Sequence, residues 1–360
     1  MDNPAPRLST RFTELVGIEH PVVQEGLGPY KVVALAAAVS NAGGLGTISI
    51  PGISEEPADG AKKLRGYIEE ACGLTDRPLA LNVPVGADKT GEVLPFSAAY
   101  VGAVVDAVKD AEIAWRLRVI TTSAGPPGLA HRLIAGSGLI HMHKVGGTRQ
   151  AIRAAAEGVD VLIASGYEAG GHTHARPVST FILGPSVAEA VQIPVVLAGG
   201  IRDGRGLAAA LALGADAVAM GTRFVASHDN TDWSPAYAQR ILDAKEGEDV
   251  VFPAIYGPSR ALPNEGLTEL LRITAAGEMD ERSLTAFKDE ILIHAQRDGD
   301  MRHGLLPAGQ VSGAIRDVVH VAEFLPTLIK DAIATIEKMK LKVVPSLPRN
   351  GNSSRAKRQK

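Results

Sequence analysis

The sequence predicts an α/β protein, a closed (β/α)8 barrel carrying a mostly helical insertion or small second domain. Three observations predict it. A strand-like apolar run followed by a helix-like stretch recurs eight times, which argues for α/β architecture rather than segregated strands and helices. The last three runs, residues 159–164, 193–198 and 217–220, are short, β-branched or alanine-rich and without polar alternation, as strands buried on both faces are. Each of the three ends in glycine: Gly166, then Gly199 and Gly200, then Gly221. Glycine turns at strand ends let backbone N–H groups approach a bulky anion. In a closed barrel a phosphate commonly sits at the loops after the seventh and eighth strands.

Taken in order, residues 21–24 (PVVQ) read as the first strand, with Glu25, Gly26, Leu27 and Gly28 as its loop. Residues 31–41 are helical, and Gly43 and Gly44 end that helix as glycine does at a C-cap. Residues 45–50 are the second strand and 55–72 the second helix. Residues 79–85 (LALNVPV) are the third strand, with Asn82 the odd polar residue, and 94–111 the next helix. The fourth strand is 118–122; Gly125, Pro126, Pro127 and Gly128 then open a loop into a helix over 129–135. Residues 139–145 (LIHMHKV) are the fifth strand and 148–157 the fifth helix. Alternation places Lys144 on one strand face with Met142, and His141 and His143 on the other. The three glycine-ended runs supply strands six to eight, with a helix over 203–214, and the barrel spans 12–226.

After Phe224 the pattern changes. Residues 228–309 are more polar, with helical stretches at 268–274 and 283–296. This predicts a mostly helical insertion, 227–308, over the barrel mouth, with Trp233, Tyr237 and Tyr256 in the lid. Residues 309–340 return to the barrel as a C-terminal helix over 314–340, with Pro326 a point where it can break. Residues 341–360, with Arg349, Arg355, Lys357, Arg358 and Lys360 among small polar residues, read as a disordered basic tail.

Composition limits the function. The 360 residues exceed the ~250 of a bare barrel and leave room for the insertion. A net charge of -3 gives no reason to expect nucleic acid. The single cysteine, Cys72, lies in a helix-like stretch, which excludes a disulfide framework or a cysteine zinc site within one chain. The first twelve residues carry an early acid and two prolines rather than the apolar core of a signal peptide. No apolar run reaches the ~18 residues of a membrane span. A cytoplasmic protein without membrane or nucleic-acid partners is the expectation.

Candidate chemistry gathers at strand ends. His172, on the loop Glu168-Ala169-Gly170-Gly171-His172, is placed to act as a general base near neutral pH; the alternative is a surface-loop histidine. Glu168, His172 and His174 have ligand chemistry, but no second acidic or histidine cluster accompanies them, so no metal is predicted. Lys144, if it faces the lumen, could neutralise a phosphate or an anionic ring; otherwise it is a solvated strand end. Asn82 and Gln24 could bond a ligand or satisfy neighbouring backbone. Gly44-Leu45-Gly46 follows a helix and precedes a strand, the reverse of the dinucleotide fingerprint. No Walker run and no glycine-framed serine elbow is present.

The segments GYEAGGH (166–172), LAGGIRDG (197–204) and MGTRF (220–224) resemble the flavin-dependent nitronate monooxygenases, formerly 2-nitropropane dioxygenases. PVVQ with SNAGGLGTIS (40–49) is similar to that family's opening, and Gly309-Gln310 followed by Gly313 to its closing motif. The resemblance covers about residues 12–226 and the last helix; FMN-dependent enoyl-acyl-carrier-protein reductases share most of it. It implies a TIM barrel holding FMN non-covalently. Asn82 and Lys144 would contact the flavin, Gly170 and Gly171 would line it, and Gly199, Gly200, Gly221 and Thr222 would bind its phosphate. Gln24, Ser165, Ala169 and Met220 complete the expected cofactor set. His172 matches the catalytic histidine. Ser165 stands where the family often has Gln, His174 where it often has Gly, and Leu27 where it usually has Met. The implied activity is oxidation of alkyl nitronates or nitroalkanes with O2 to a carbonyl compound and nitrite; the sequence leaves the oligomeric state open, a homodimer included. The alternative is an NAD(P)H-dependent enoyl reductase.

Overall fold

The computed structural model describes residues 7–53, 56–254 and 257–343; Tyr256 and the basic tail from residue 344 onward lie outside the described residues. Among the described residues twelve strands occur in chain order: β1 (Val22–Gln24), β2 (Gly46–Ser49), β3 (Leu79–Val85), β4 (Leu117–Ala124), β5 (Ile140–Val145), β6 (Val161–Ser165), β7 (Gly171–His172), β8 (Val195–Ala198), β9 (Ala217–Met220), β10 (Val250–Ala254), β11 (Gly257–Leu262) and β12 (Leu306–Pro307). Eight of them form one parallel sheet in the order β1-β9-β8-β6-β5-β4-β3-β2. The ring closes where Gln24 N–H donates to Leu45 O at 2.9 Å and Leu45 N–H to Val22 O at 2.9 Å. The result is the TIM barrel that the eightfold alternation predicts.

The strands are apolar because both faces are covered. One row of side chains, among them Val23, Ala80, Val119, Met142, Ile163, Val196 and Ala219, fills the lumen. The opposite rows pack under the outer helices. These are α2 (Val33–Asn41), α3 (Pro57–Leu74), α4 (Pro95–Ala107), α5 (Ala111–Arg116), α6 (Pro127–Ile134), α7 (Thr148–Ala156), α8 (Thr180–Ala190) and α9 (Gly204–Ala212), with a short turn α10 (Thr222–Val225) after β9. A first helix, α1 (Arg11–Val16), plugs the N-terminal end of the barrel with Phe12 and Val16. The sequence reading contains neither α1, too short for a periodic signal, nor α8, whose Gly184 and Pro185 imitate a loop. The helix expected over 94–111 is two: Asp110 accepts from Glu112 N–H and starts α5 afresh.

The segment after α10 holds α11 (Pro235–Leu242), α12 (Glu265–Ala276) and α13 (Glu281–Ile293), the last running into a π-helical turn, His294–Asp298. It also holds antiparallel β10, β11 and β12, with β7 paired to β11. These strands were not expected, because Pro253 and Pro258 break the alternation that marks a strand. The final helix α14 (Val321–Lys340) starts seven residues later than the sequence reading has it, after a 3-10 turn at Gln310–Ala314. It also runs unbroken through Pro326. Packing holds it: a Cβ on Gly204 would meet Leu328 O at 2.4 Å, so α9 and α14 touch backbone to backbone. Among the described residues no helix is long and apolar enough to cross a membrane.

Candidate active site

A cavity of about 600 Å³ opens at the C-terminal ends of the barrel strands, within the ordinary size of a ligand pocket. Asn82, Lys144, Ala169, Gly170, Gly171, His172, Gly199, Gly200, Met220, Gly221 and Thr222 all line it. Gln24 and Ser165 do not. Gln24 is fully buried, its Oε1 accepts from Thr47 N–H at 2.9 Å, and its Nε2 bonds Glu25 O; it stitches β1 to β2 at the closure of the ring. Ser165 is buried at the end of β6.

On the side of β8 and β9 the wall is backbone. Gly199 and Gly200 have φ of 108° and 74°, a region that L side chains rarely adopt. Gly309 N–H donates to Thr222 Oγ1 at 2.9 Å, which leaves the threonine O–H to donate elsewhere. The start of α9 is already used, since Asp203 accepts from Arg205 N–H at 3.0 Å and Gly206 N–H at 3.1 Å. An anion here therefore falls to the turns after β8 and β9, not to α9.

The loop after β6 is clamped on three sides. β7 pairs with β11, setting His172 opposite Ser259 and Gly171 opposite Arg260. Arg260, 1% exposed, donates to Tyr167 O at 2.8 Å, stacks over the Tyr167 ring and forms an ion pair with buried Asp249. Glu168 accepts from Thr180 N–H at 2.9 Å and from Thr180 Oγ1–H at 2.8 Å, so its carboxylate caps α8. Its carbonyl accepts from Gln310 N–H at 3.0 Å, and a Cβ on Gly170 would meet Ala308 C at 2.5 Å. Glu168 thus serves the helix rather than a metal, and among the described residues no cluster of three or more metal-ligating side chains occurs.

His172 faces the open cavity and keeps accessible surface there, while protein surrounds it on the remaining sides. That desolvation, with Lys288 and Lys144 pushing the same way, pulls its pKa down to about 4. The imidazole is neutral at pH 7. Lys144 does face the lumen side, in line with Met142, and its Nζ lies 2.8 Å from Glu25 Oε2. Glu25 Oε1 is buried in the cavity wall without a hydrogen-bond partner. His141 and His143 lie on the strand face opposite Met142 and Lys144, with Thr122 Oγ1 2.8 Å from each, and His143 also lines the cavity. Burial lowers their pKa values to about 3 and about 4.

The sequence reading lacks two contributors. Arg260 is one. The other is a face of α13 and its π turn: Lys288, Asp289, Leu292 and Gln296 roof the cavity. Gln296 Nε2 donates to Gly28 O at 2.8 Å and its Oε1 accepts from Tyr30 N–H at 3.0 Å, which ties the roof to the β1 loop. The spacing of 288, 292 and 296 is the only trace of this in the sequence, and such spacing alone marks a buried face without a role. Trp233 and Tyr237 also line the cavity.

A family model described as nitronate monooxygenase matches residues 9–331. The chain is 31% identical to a 5-hydroxy-7a-methyl-1-oxo-octahydro-1H-indene-4-carboxyl-CoA dehydrogenase of Mycobacterium tuberculosis, over 92% of this chain and 98% of that one. It is 32% identical to a nitronate monooxygenase of Paraburkholderia phytofirmans, over 91% and 96%. Among solved structures it is similar to FabK from Thermotoga maritima, with a TM-score of 0.81 and 33% identity over 93% of this chain and 100% of that one.

Proposed function

This chain belongs to the nitronate monooxygenase family and is a flavin-dependent oxidoreductase, and from that premise we propose that it binds FMN in the barrel mouth and oxidises alkyl nitronates or nitroalkanes with O2 to a carbonyl compound and nitrite. The residues present fit FMN. The glycine turns at Gly199, Gly200 and Gly221 with the Thr222 hydroxyl would suit its phosphate, Asn82 and Lys144 would contact the ring from β3 and β5, and Gly170 and Gly171 would line it. Bound flavin would supply the redox chemistry with O2.

The protein's part is acid–base and electrostatic. The observation that carries the reading is the placement of His172 in the wall of the barrel-mouth cavity, with Lys144 and Lys288 lining the same cavity. Such a base takes a proton from the carbon next to a nitro group, and nearby ammonium groups stabilise the anion that forms. The test is oxygen uptake and nitrite release by flavin-loaded protein given an alkyl nitronate. His172→Ala is expected to lower kcat/KM on a neutral nitroalkane by about 100-fold or more. Absence of both uptake and nitrite rejects the proposal.

A second reading keeps fold and flavin and acts on an activated acyl thioester, with NAD(P)H as reductant in the enoyl-reductase form. The match to a carboxyl-CoA dehydrogenase over 92% of this chain favours it, as does a cavity lining that extends to His143, Gln150 and Arg153. Anaerobic bleaching of the flavin by NAD(P)H or by an acyl-CoA, with no nitrite from nitronates, would select it.

A further inference from the structure

We propose that Lys288, carried by the insertion and not by the barrel, is the specificity-determining residue that receives the anionic oxygen of the substrate above His172. The proposal rests on the nitronate reading and names the charge class that the site selects.

The geometry begins with α13. Lys288 and Asp289 lie on its cavity face, one turn before Leu292 and two before Gln296. The helix is fixed in height at both ends of this face. Gln296 bonds the β1 loop, and Asp289 sits so close over the loop after β2 that a Cβ on Gly52 would lie 2.7 Å from its Oδ2. Gly52 is itself held, its carbonyl accepting from Tyr100 O–H at 2.8 Å. Lys288 is therefore delivered by a rigid roof into a cavity whose floor is the barrel mouth.

Charge gives the second line. Among the described residues, the charged and titratable groups that line the cavity with His172 are Glu25 from the β1 loop, His143 and Lys144 from β5, Arg153 from α7, Glu168 and His174 from the β6 loop, and Lys288 and Asp289 from α13. Glu168 caps α8, and Lys144 is bonded to Glu25. Lys288 is 7% exposed, and its burial holds its pKa below the usual lysine range against the pull of Asp289. An ammonium desolvated to this degree gains from any further anionic oxygen that reaches it. When His172 takes the proton, the C–H bond breaks, the proton goes to an imidazole nitrogen and the electron pair moves to the nitro oxygens. Those oxygens are the atoms that a cation in the roof meets, and a nitronate supplied as such carries the same charge from the outset.

The test uses flavin-loaded protein and Lys288→Gln and Lys288→Arg. The pKa of His172 followed by NMR is expected to rise in Lys288→Gln, because a like charge has gone, and to stay in place in Lys288→Arg. Binding of propionate, a non-reacting carboxylate read through the flavin spectrum, is expected to weaken about tenfold or more in Lys288→Gln and to return in Lys288→Arg, the size of one charge-assisted hydrogen bond. KM for a nitronate should follow propionate, and KM for the neutral nitroalkane should not. An unmoved His172 pKa with unchanged propionate affinity in Lys288→Gln overturns the proposal. Loss of lysine-dependent propionate binding without activity on any nitronate would instead leave Lys288 as the anion site and sink the nitronate reading alone.

Discussion

Arg260 connects the insertion to the loop that carries His172, and it does so with three different interactions. Its guanidinium pairs with Asp249, donates to Tyr167 O and lies 4.5 Å from the Tyr167 ring centroid. Truncation to Ala leaves the Asp249 carboxylate buried without its cation, a change that costs about 3–5 kcal/mol. Arg260→Lys keeps the charge but not the planar fork or the stack, so it should recover only part of the loss. Urea unfolding of both variants, alongside kcat on a nitronate, checks this. Equal stability of Arg260→Ala and the parent would show that the clamp is ornamental. Nothing in the sequence distinguishes Arg260, because a lone arginine on a proline-broken strand has no pattern. His172 was legible for the opposite reason: a glycine-rich loop after a buried strand places a side chain at a barrel mouth whatever surrounds it. Lys144 and Met142 fell on one face as alternation predicts, whereas Gln24 went into the barrel wall, since the closure of the ring needs its amide and three residues of strand give no register.

At the scale of elements, the barrel strands were readable because burial on both faces leaves an apolar run that no exposed element imitates. The helix α8 was not, and its stability has an unusual source: the carboxylate of Glu168 at its first turn rather than a side chain of its own N-cap, Ser179. The same carboxylate holds Thr180 Oγ1, which lies 3.1 Å from Gly199 O in the turn after β8. Glu168→Ala is therefore expected to cost roughly 1–2 kcal/mol of stability, the size of a lost cap, and to weaken FMN binding through the Gly199 turn. Glu168→Gln keeps an acceptor and should stay near the parent in both. Flavin titration by fluorescence quenching and thermal melts read the two effects; unchanged FMN affinity in Glu168→Ala would separate the cap from the turn. The roof helix α13 was partly visible as a helical stretch, but its π turn and its strand partners depend on contacts between segments far apart in the chain, which local pattern does not carry.

For the whole molecule, the barrel stores buried neutral histidines on β5, and this sets its response to acid. His141 and His143 share the Thr122 hydroxyl between β4 and β5, and burial lowers their pKa values from 6.5 to about 3 and about 4. In the unfolded chain both protonate near 6.5, so the unfolded state binds more protons than the native one as pH falls below that value. The stabilisation is fully present above pH 6.5 and declines as pH drops toward the native pKa values, at about 1.4 kcal/mol per pH unit for each histidine. His20 and His174 are displaced in the same direction, again mainly by burial, and add to the slope. Carboxylates that the fold holds ionised, such as Asp203 and Glu157, act only at lower pH. The interval from pH 6.5 to 5 is thus dominated by histidine, and the pair alone should account for on the order of 3 kcal/mol across it. Replacing both with apolar residues of similar size, His141→Phe and His143→Leu, removes the titrating groups together with their shared hydrogen bonds. That double variant is expected to start less stable at pH 7 but to lose much less between pH 6.5 and 5 in urea unfolding. A slope as steep as the parent's would mean that protons enter elsewhere, and this face of β5 would then be no more than packing.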